Sequence, residues 1–281
     1  MIFRQLFEAD SSTFTYLLGC RESGKAVLVD PVLDTVERDL QVLQDLGLEL
    51  AVTLETHVHA DHLSGARRLK QRTDCAIACP AMLELPCADI GIREGDVFKV
   101  GGIQLHPLFT PGHTDHHHAY LLDNDMHKVL FTGDALLIES CGRTDFQSGN
   151  AGDLYNSIHN KFFSLPGETL VYPAHDYEGR RITTVAQEKA RNPRLGKGRE
   201  KEDFVALMEG LDLPAALSRY TLLSVGDGLL AQIPALLNSL AAGMVVTRVG
   251  RADDASLAQE IPKQLGQLRK LRSIIAAVAA V

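Results

Sequence analysis

Thr56-His57-Val58-His59-Ala60-Asp61-His62 puts three histidines and an aspartate into adjoining positions. The run before it, Leu50-Ala51-Val52-Thr53-Leu54, is short, apolar and β-branched, as a buried strand requires. The run after it, Leu63 to Lys70, is expected to be helical. The motif therefore caps a strand-to-helix turn, where a rigid element can aim ligands at one point. Side chains two apart on a strand share a face, so His57 and His59 are expected on one side. Asp61 and His62 then fall at the turn and the first helical residues.

Upstream, the N-terminal residues enter a strand almost at once. Thr13–Leu18 and Ala26–Val29 form a hairpin that ends at Asp30-Pro31. Apolar positions 33, 36, 40 and 43 give a helical stripe halted at Gly47. Downstream, residues 75–79, 97–100 and 103–109 read as strands, the last delivering Thr110-Pro111-Gly112-His113-Thr114. Residues 119–122 and 128–132 follow, the second ending in Gly133-Asp134. Residues 169–172 then lead into Pro173-Ala174-His175. His57, His113, Asp134 and His175 thus each follow the C-terminal end of a strand. Such ends converge when strands line up in sheets with one shared edge. An α/β two-sheet sandwich with helices on its outer faces is the simplest such fold.

The chain has 281 residues, 45% of them hydrophobic, enough for one large domain or a domain plus an extension. A net charge of -8 argues against a nucleic-acid partner, which needs a basic face. Five cysteines are odd in number, scattered and without a Cys-x-x-Cys pair, so neither a disulfide framework nor a zinc ribbon is indicated. That usage fits a reducing, cytoplasmic setting. The first residues lack the charged and apolar blocks of a signal peptide. The uncharged stretch between Asp227 and Arg248 has the length of a membrane span. Gln232, Pro234, Asn238 and Ser239 interrupt it, so it reads as packed core or helical tail instead.

The ligand inventory is His57, His59, Asp61, His62, His113, Asp134 and His175. It suffices for two metals, with His57, His59 and His113 around one, Asp61, His62 and His175 around the other, and Asp134 bridging. It suffices equally for one metal on two histidines and a carboxylate, the remaining residues orienting them. A nitrogen and oxygen set without thiolates suits zinc, iron or manganese, and two histidines plus one carboxylate with open positions suit non-haem Fe(II).

These residues resemble the metallo-β-lactamase superfamily, through His57-x-His59-x-Asp61-His62, His113, Gly133-Asp134 and His175. More narrowly, the chain is similar to the persulfide dioxygenases, also called sulfur dioxygenases or the ethylmalonic-encephalopathy protein family. The specific carriers are Thr56 to Gly65, Cys141-Gly142-Arg143-Thr144-Asp145-Phe146-Gln147, Tyr172-Pro173-Ala174-His175-Asp176-Tyr177 and Asn192-Pro193-Arg194-Leu195. The resemblance implies a four-layer αββα sandwich forming a catalytic domain over residues 1–214. It implies one Fe(II) per chain on His57, His113 and Asp134, with His59, Asp61, His62 and His175 orienting ligands and waters. The implied reaction oxidises glutathione persulfide with O2 and water to sulfite and glutathione. Open positions on one ion would hold sulfur and dioxygen side by side, turning an encounter into a reaction between neighbours.

Arg143, Asp145 and Tyr177 are the implied pocket residues. The fork of Arg143 suits a substrate carboxylate, or a salt bridge to Asp145. Arg180 and Arg181 are further carboxylate partners or solvated side chains. Cys141 reads as a packed or pocket-wall cysteine.

Two features depart from the family. Asp115-His116-His117-His118 stands where small residues are usual, and these histidines are expected to be exposed or hydrogen-bonded instead of ligating. Residues 215–281 form a C-terminal extension with a helical stripe at Leu257, Ile261, Leu265, Leu268, Leu271 and Ile275. It reads as an added helical layer or a subunit contact, which leaves a homodimer open. Two other functions fit parts of the pattern. One is a dinuclear thioester hydrolase resembling glyoxalase II and acting on S-lactoylglutathione, with metal-activated hydroxide. The other is a non-catalytic metal-binding or redox-sensing module. The Cys141–Gln147 block and Asp176-Tyr177 after His175 favour the dioxygenase.

Overall fold

Side-chain alternation sends Tyr16, Leu18, Val27 and Val29 to one face of the first sheet, and Leu17, Ala26 and Leu28 to the other. The structure, a computed structural model, describes residues 1–123 and 128–210. The first sheet contains β1 (Ile2–Glu8), β2 (Thr13–Gly19), β3 (Lys25–Val29), β4 (Glu49–Leu54), β5 (Ala76–Pro80) and β6 (Ile90–Ile92), in that order across it. β1 to β3 pair antiparallel and β3 to β6 parallel. The second sheet contains β7 (Phe98–Val100), β8 (Ile103–Phe109), β9 (His118–Asp123), β10 (Lys128–Gly133), β11 (Leu170–Pro173) and β12 (Thr183–Thr184), again in sequence order.

The crossovers between parallel strands need helices, and these cover the outer faces. α1 (Val36–Asp45) and α2 (Ala66–Thr73) bury Val36, Leu43 and Leu69 against Leu17, Leu28 and Leu50. α3 (Ala151–Ser157), α4 (Val185–Arg191) and α5 (Lys201–Glu209) bury Leu154, Val185 and Phe204 against Leu121, Leu130 and Val171. Between the sheets lie Phe14, Tyr16, Leu54, Leu105, Tyr120 and Phe131. The layers are therefore αββα, as the motifs imply. Truncating a buried leucine in any of these cores, such as Leu28 or Leu69, is expected to cost about 2–5 kcal/mol.

Two tyrosines of the central core reach the sheet edge that carries the histidines. The Tyr16 hydroxyl donates to the Pro173 carbonyl at 2.5 Å, and that of Tyr120 to the Glu55 carbonyl at 2.6 Å. A buried hydroxyl needs such a partner, and here each pins a loop leaving a strand.

The helix after the histidine motif starts later than expected. Ser64 makes an isolated bridge to Val32, and the Leu63 carbonyl and Gly65 amide bond Leu33 and Pro31. These bonds tie 63–65 to the 31–33 segment, so α2 begins at Ala66 and Asp61 and His62 lie in the loop. The helices between 151 and 209 and the short strands β6 and β12 are additional to the expected elements. The 214/215 boundary, the 227–248 stretch and the stripe from Leu257 lie outside the described residues. Among the described residues no helix is long and apolar enough to cross a membrane.

Candidate metal centre

His57 follows β4, His113 follows β8, Asp134 follows β10 and His175 follows β11, so both sheets deliver side chains to one rim. Gly133 makes the turn into Asp134 with φ at +51°. A Cβ there would lie 2.5 Å from His117 Nε2 and 2.8 Å from Thr56 Oγ1, so only glycine fits.

Hydrogen bonds fix which ring nitrogens carry protons. Thr56 donates its hydroxyl to Asp30 Oδ2 at 2.9 Å, so its oxygen accepts from His57 Nδ1 at 2.9 Å. The Arg143 carbonyl, which can only accept, takes the Nδ1 proton of His113 at 2.9 Å. As neutral imidazoles, both rings turn bare Nε2 atoms inward. Asp134 Oδ2 lies 3.9 Å from His57 Nε2 and 3.5 Å from His113 Nε2. The ligand atoms of the three residues lie within 4.8 Å of one another. Three lone-pair acceptors converging without a proton between them repel unless a cation neutralises them. Two imidazoles and a carboxylate are a transition-metal donor set, so the residues fit a metal. Burial, reinforced by the neighbouring His59 and His117, holds His57 well below the ordinary histidine range, in the neutral form that a ligand needs.

His59 is drawn elsewhere. Its Nε2 lies 3.2 Å from Asp30 Oδ1 and 3.4 Å from Glu55 Oε2. Burial disfavours its charge, but these carboxylates outweigh burial and raise it well above the usual value. Its ring still adjoins that of His57, with centroids 4.2 Å apart, and its Nδ1 is buried without a hydrogen-bond partner. His59 offers ligand atoms within 4.8 Å of those of Asp61 and His62, and also of those of Asp30 and Glu55.

Asp61, His62 and His175 gather beside the first cluster. Asp61 Oδ2 lies 2.9 Å from His62 Nδ1 and 3.5 Å from His175 Nε2, and His175 Nε2 is 3.3 Å from Asp134 Oδ1. Although burial pushes the other way, the His62 hydrogen bond and the His175 charge hold Asp61 well below its ordinary value.

Arg143 forks onto Asp145 at 2.7 and 2.9 Å and lies 5.4 Å from the Phe146 ring centroid. Tyr177 is 73% exposed, with its ring parallel to that of His175 at 6.1 Å. Arg180 is partly exposed and ion-paired with Asp176, Glu139 and Glu178. Cys141 is buried beside Met208, and burial pushes its thiol up to about 11. The run His116–His118 is buried, with Val58 N donating to His116 Nε2 at 3.1 Å and Thr110 Oγ1 at 2.8 Å from His117 Nδ1. Asp30, Glu55 and Thr56 were not among the expected site residues. Asp30 follows a strand end as the ligands do, and that signal would have found it.

The description "Metallo-beta-lactamase superfamily" matches residues 10–175. Human "Persulfide dioxygenase ETHE1, mitochondrial" is 47% identical over 214 residues, covering 76% of this chain and 83% of that protein. The chain belongs to the persulfide dioxygenase family. A crystal structure of ETHE1 from Myxococcus xanthus superposes with a TM-score of 0.72 at 48% identity, covering 76% of this chain and 92% of that one. A hydroxyacylglutathione hydrolase of Rhodopseudomonas palustris (strain BisB18) is more distant from this persulfide dioxygenase family member, at 33% identity over 68% of the chain and 73% of the relative. The description "FHIPEP family" matches residues 204–281.

Proposed function

We propose that this persulfide dioxygenase family member holds one Fe(II) on His57, His113 and Asp134 and oxidises glutathione persulfide with O2 and water to sulfite and glutathione. The observation that carries the reading is the convergence of two imidazole nitrogens and a carboxylate oxygen within 4.8 Å. Family membership, at 47% identity to the human enzyme, selects the reaction. A bound Fe(II) would supply the oxygen chemistry that side chains lack. Thr56 and the Arg143 carbonyl hold the two imidazoles in register. Asp61, His62 and His175 present a polar wall beside the ligands, able to orient a thiol-derived anion or water. Arg143 offers its guanidinium to a glutathione carboxylate, with Asp145 as its resting partner. All five cysteines are free, in keeping with a reducing, cytoplasmic setting.

The test is oxygen uptake by anaerobically iron-loaded protein on adding glutathione persulfide, with sulfite measured as product. The proposal expects uptake coupled to sulfite formation. Hydrolysis of S-lactoylglutathione by a two-zinc form, without oxygen uptake, would establish the thioester hydrolase instead. Metal binding with neither activity would leave the sensing module.

A further inference from the structure

Asn192 caps the C-terminal end of α4, is wholly buried, and touches none of the metal-facing residues. Its amide is fully used. Nδ2 donates to the Ser140 carbonyl at 3.0 Å and to Glu188 Oε2 at 2.8 Å, while Oδ1 accepts from the amides of Arg194 at 3.0 Å and Leu195 at 3.1 Å. Glu188, one turn earlier on the same face, is also wholly buried. Its Oε2 accepts from the Glu139 amide at 3.0 Å, and its Oε1 accepts the Thr183 hydroxyl at 2.8 Å. α4 thus grips the 139–140 turn at two adjacent points. Glu139 sits there at φ +53°, a conformation unfavourable for a residue with a Cβ. Such a turn persists where its surroundings over-determine it.

The other end of that turn is the metal centre. The Gly142 amide donates to the Asp134 carbonyl at 2.9 Å, and the Arg143 carbonyl accepts from His113 Nδ1 at 2.9 Å. A Cβ on Gly142 would collide with the Asp134 carbonyl and lie 2.8 Å from His113 Nδ1. Residues 139 to 143 therefore connect α4 to two of the three metal-facing residues within one short backbone segment.

We propose that Asn192, together with Glu188, is a positioning residue for the metal centre: it fixes the Ser140–Arg143 turn, whose backbone in turn aims His113 and Asp134. An asparagine is required because the position needs two donors and two acceptors at once. Leucine in its place removes one donor each from the Ser140 carbonyl and the Glu188 carboxylate, and takes the Oδ1 acceptor from the Arg194 and Leu195 amides. Partners one step removed from a metal typically tune its affinity by about 10–100-fold. The inference rests on the metal reading of His57, His113 and Asp134.

The test uses the full chain and Co(II) alone, with dissociation constants read by chelator competition and ligand geometry by the visible spectrum. Wild type should bind, and His113→Ala should not. If wild type fails to bind, or His113→Ala binds as well, the metal reading fails and this inference with it. Given that baseline, Asn192→Leu should weaken binding about tenfold or more and alter the spectrum. Leu43→Ala, a core truncation on α1, serves as a control for general destabilisation and should bind as wild type does. Glu188→Gln keeps the acceptor for Glu139 and Asn192 and should also bind normally, whereas Glu188→Ala should reproduce the Asn192→Leu loss. Should Asn192→Leu fail to fold, the two Glu188 variants decide alone. Equal affinities for Glu188→Gln and Glu188→Ala, or an Asn192→Leu no weaker than Leu43→Ala, overturn the proposal.

Discussion

The backbone carbonyl of Arg143 lies 2.9 Å from Nδ1 of His113. One residue therefore orients a metal-facing imidazole through its main chain and offers a guanidinium through its side chain. The two roles separate on substitution. Arg143→Ala keeps the carbonyl and removes the fork, so metal content should stay near wild type while KM for glutathione persulfide rises about tenfold or more. That shift corresponds to losing a charge-assisted pair of about 1.5–3 kcal/mol. Metal analysis beside steady-state oxygen uptake checks it. Loss of the metal, or of the fold, would make the Asp145 salt bridge the residue's main purpose.

Thr56 links Asp30 to His57 through one hydroxyl that donates to the first and accepts from the second. Thr56→Val keeps the shape and deletes the link, and leaves the buried Asp30 short of a donor. Metal affinity is expected to fall about tenfold. Thr56→Ser, which keeps the hydroxyl, should restore most of it. Equal affinities for the two variants would mean that sterics alone place His57.

Gly142 has no room for a side chain between the Asp134 carbonyl and His113. Gly142→Ala must move one of them. The expected outcome is loss of metal binding with far-ultraviolet circular dichroism unchanged, since the sheets do not depend on this turn. Normal metal loading in the alanine variant would show the site to be more tolerant than its geometry.

Asp39 gives the apo fold a pH dependence of its own. It is wholly buried on α1, and burial raises its carboxyl to about 6 despite the Arg38 guanidinium beside it. Its native pKa exceeds the unfolded value of about 3.9, so the native state binds more protons between those values and stability falls as pH rises through them. At about 1.4 kcal/mol per unit the loss approaches about 3 kcal/mol by neutral pH. Asp39→Asn keeps the acceptor that Arg38 Nε uses at 2.9 Å and removes the charge. Urea unfolding at pH 4.5 and 7 should therefore show a larger stabilising effect of the substitution at pH 7. An equal effect at both would assign the pH dependence to other groups.

The placement of His57, His113, Asp134 and His175 was legible because strand ends are marked by alternation and by Gly or Pro, and each ligand stands just beyond one. The carboxylate pairing of His59 was not. It depends on Asp30 and Glu55, which the parallel pairing of β3 with β4 brings beside it. The helical pattern from Ala151 escaped reading because α3 runs into a π-turn at Ile158–Phe162, whose extra residue breaks the 3.6 period. The Arg143 and Ser140 carbonyls were illegible for a simpler reason. Every residue carries a carbonyl, so residue type does not reveal which ones face a ligand or a cap.

The central claim is one metal on His57, His113 and Asp134, and anomalous diffraction from iron-loaded crystals at the iron edge tests it most directly. The account predicts a single peak within bonding distance of His57 Nε2, His113 Nε2 and Asp134 Oδ2. Two peaks about 3.5–4 Å apart, with the second among Asp61, His62 and His175, would contradict it.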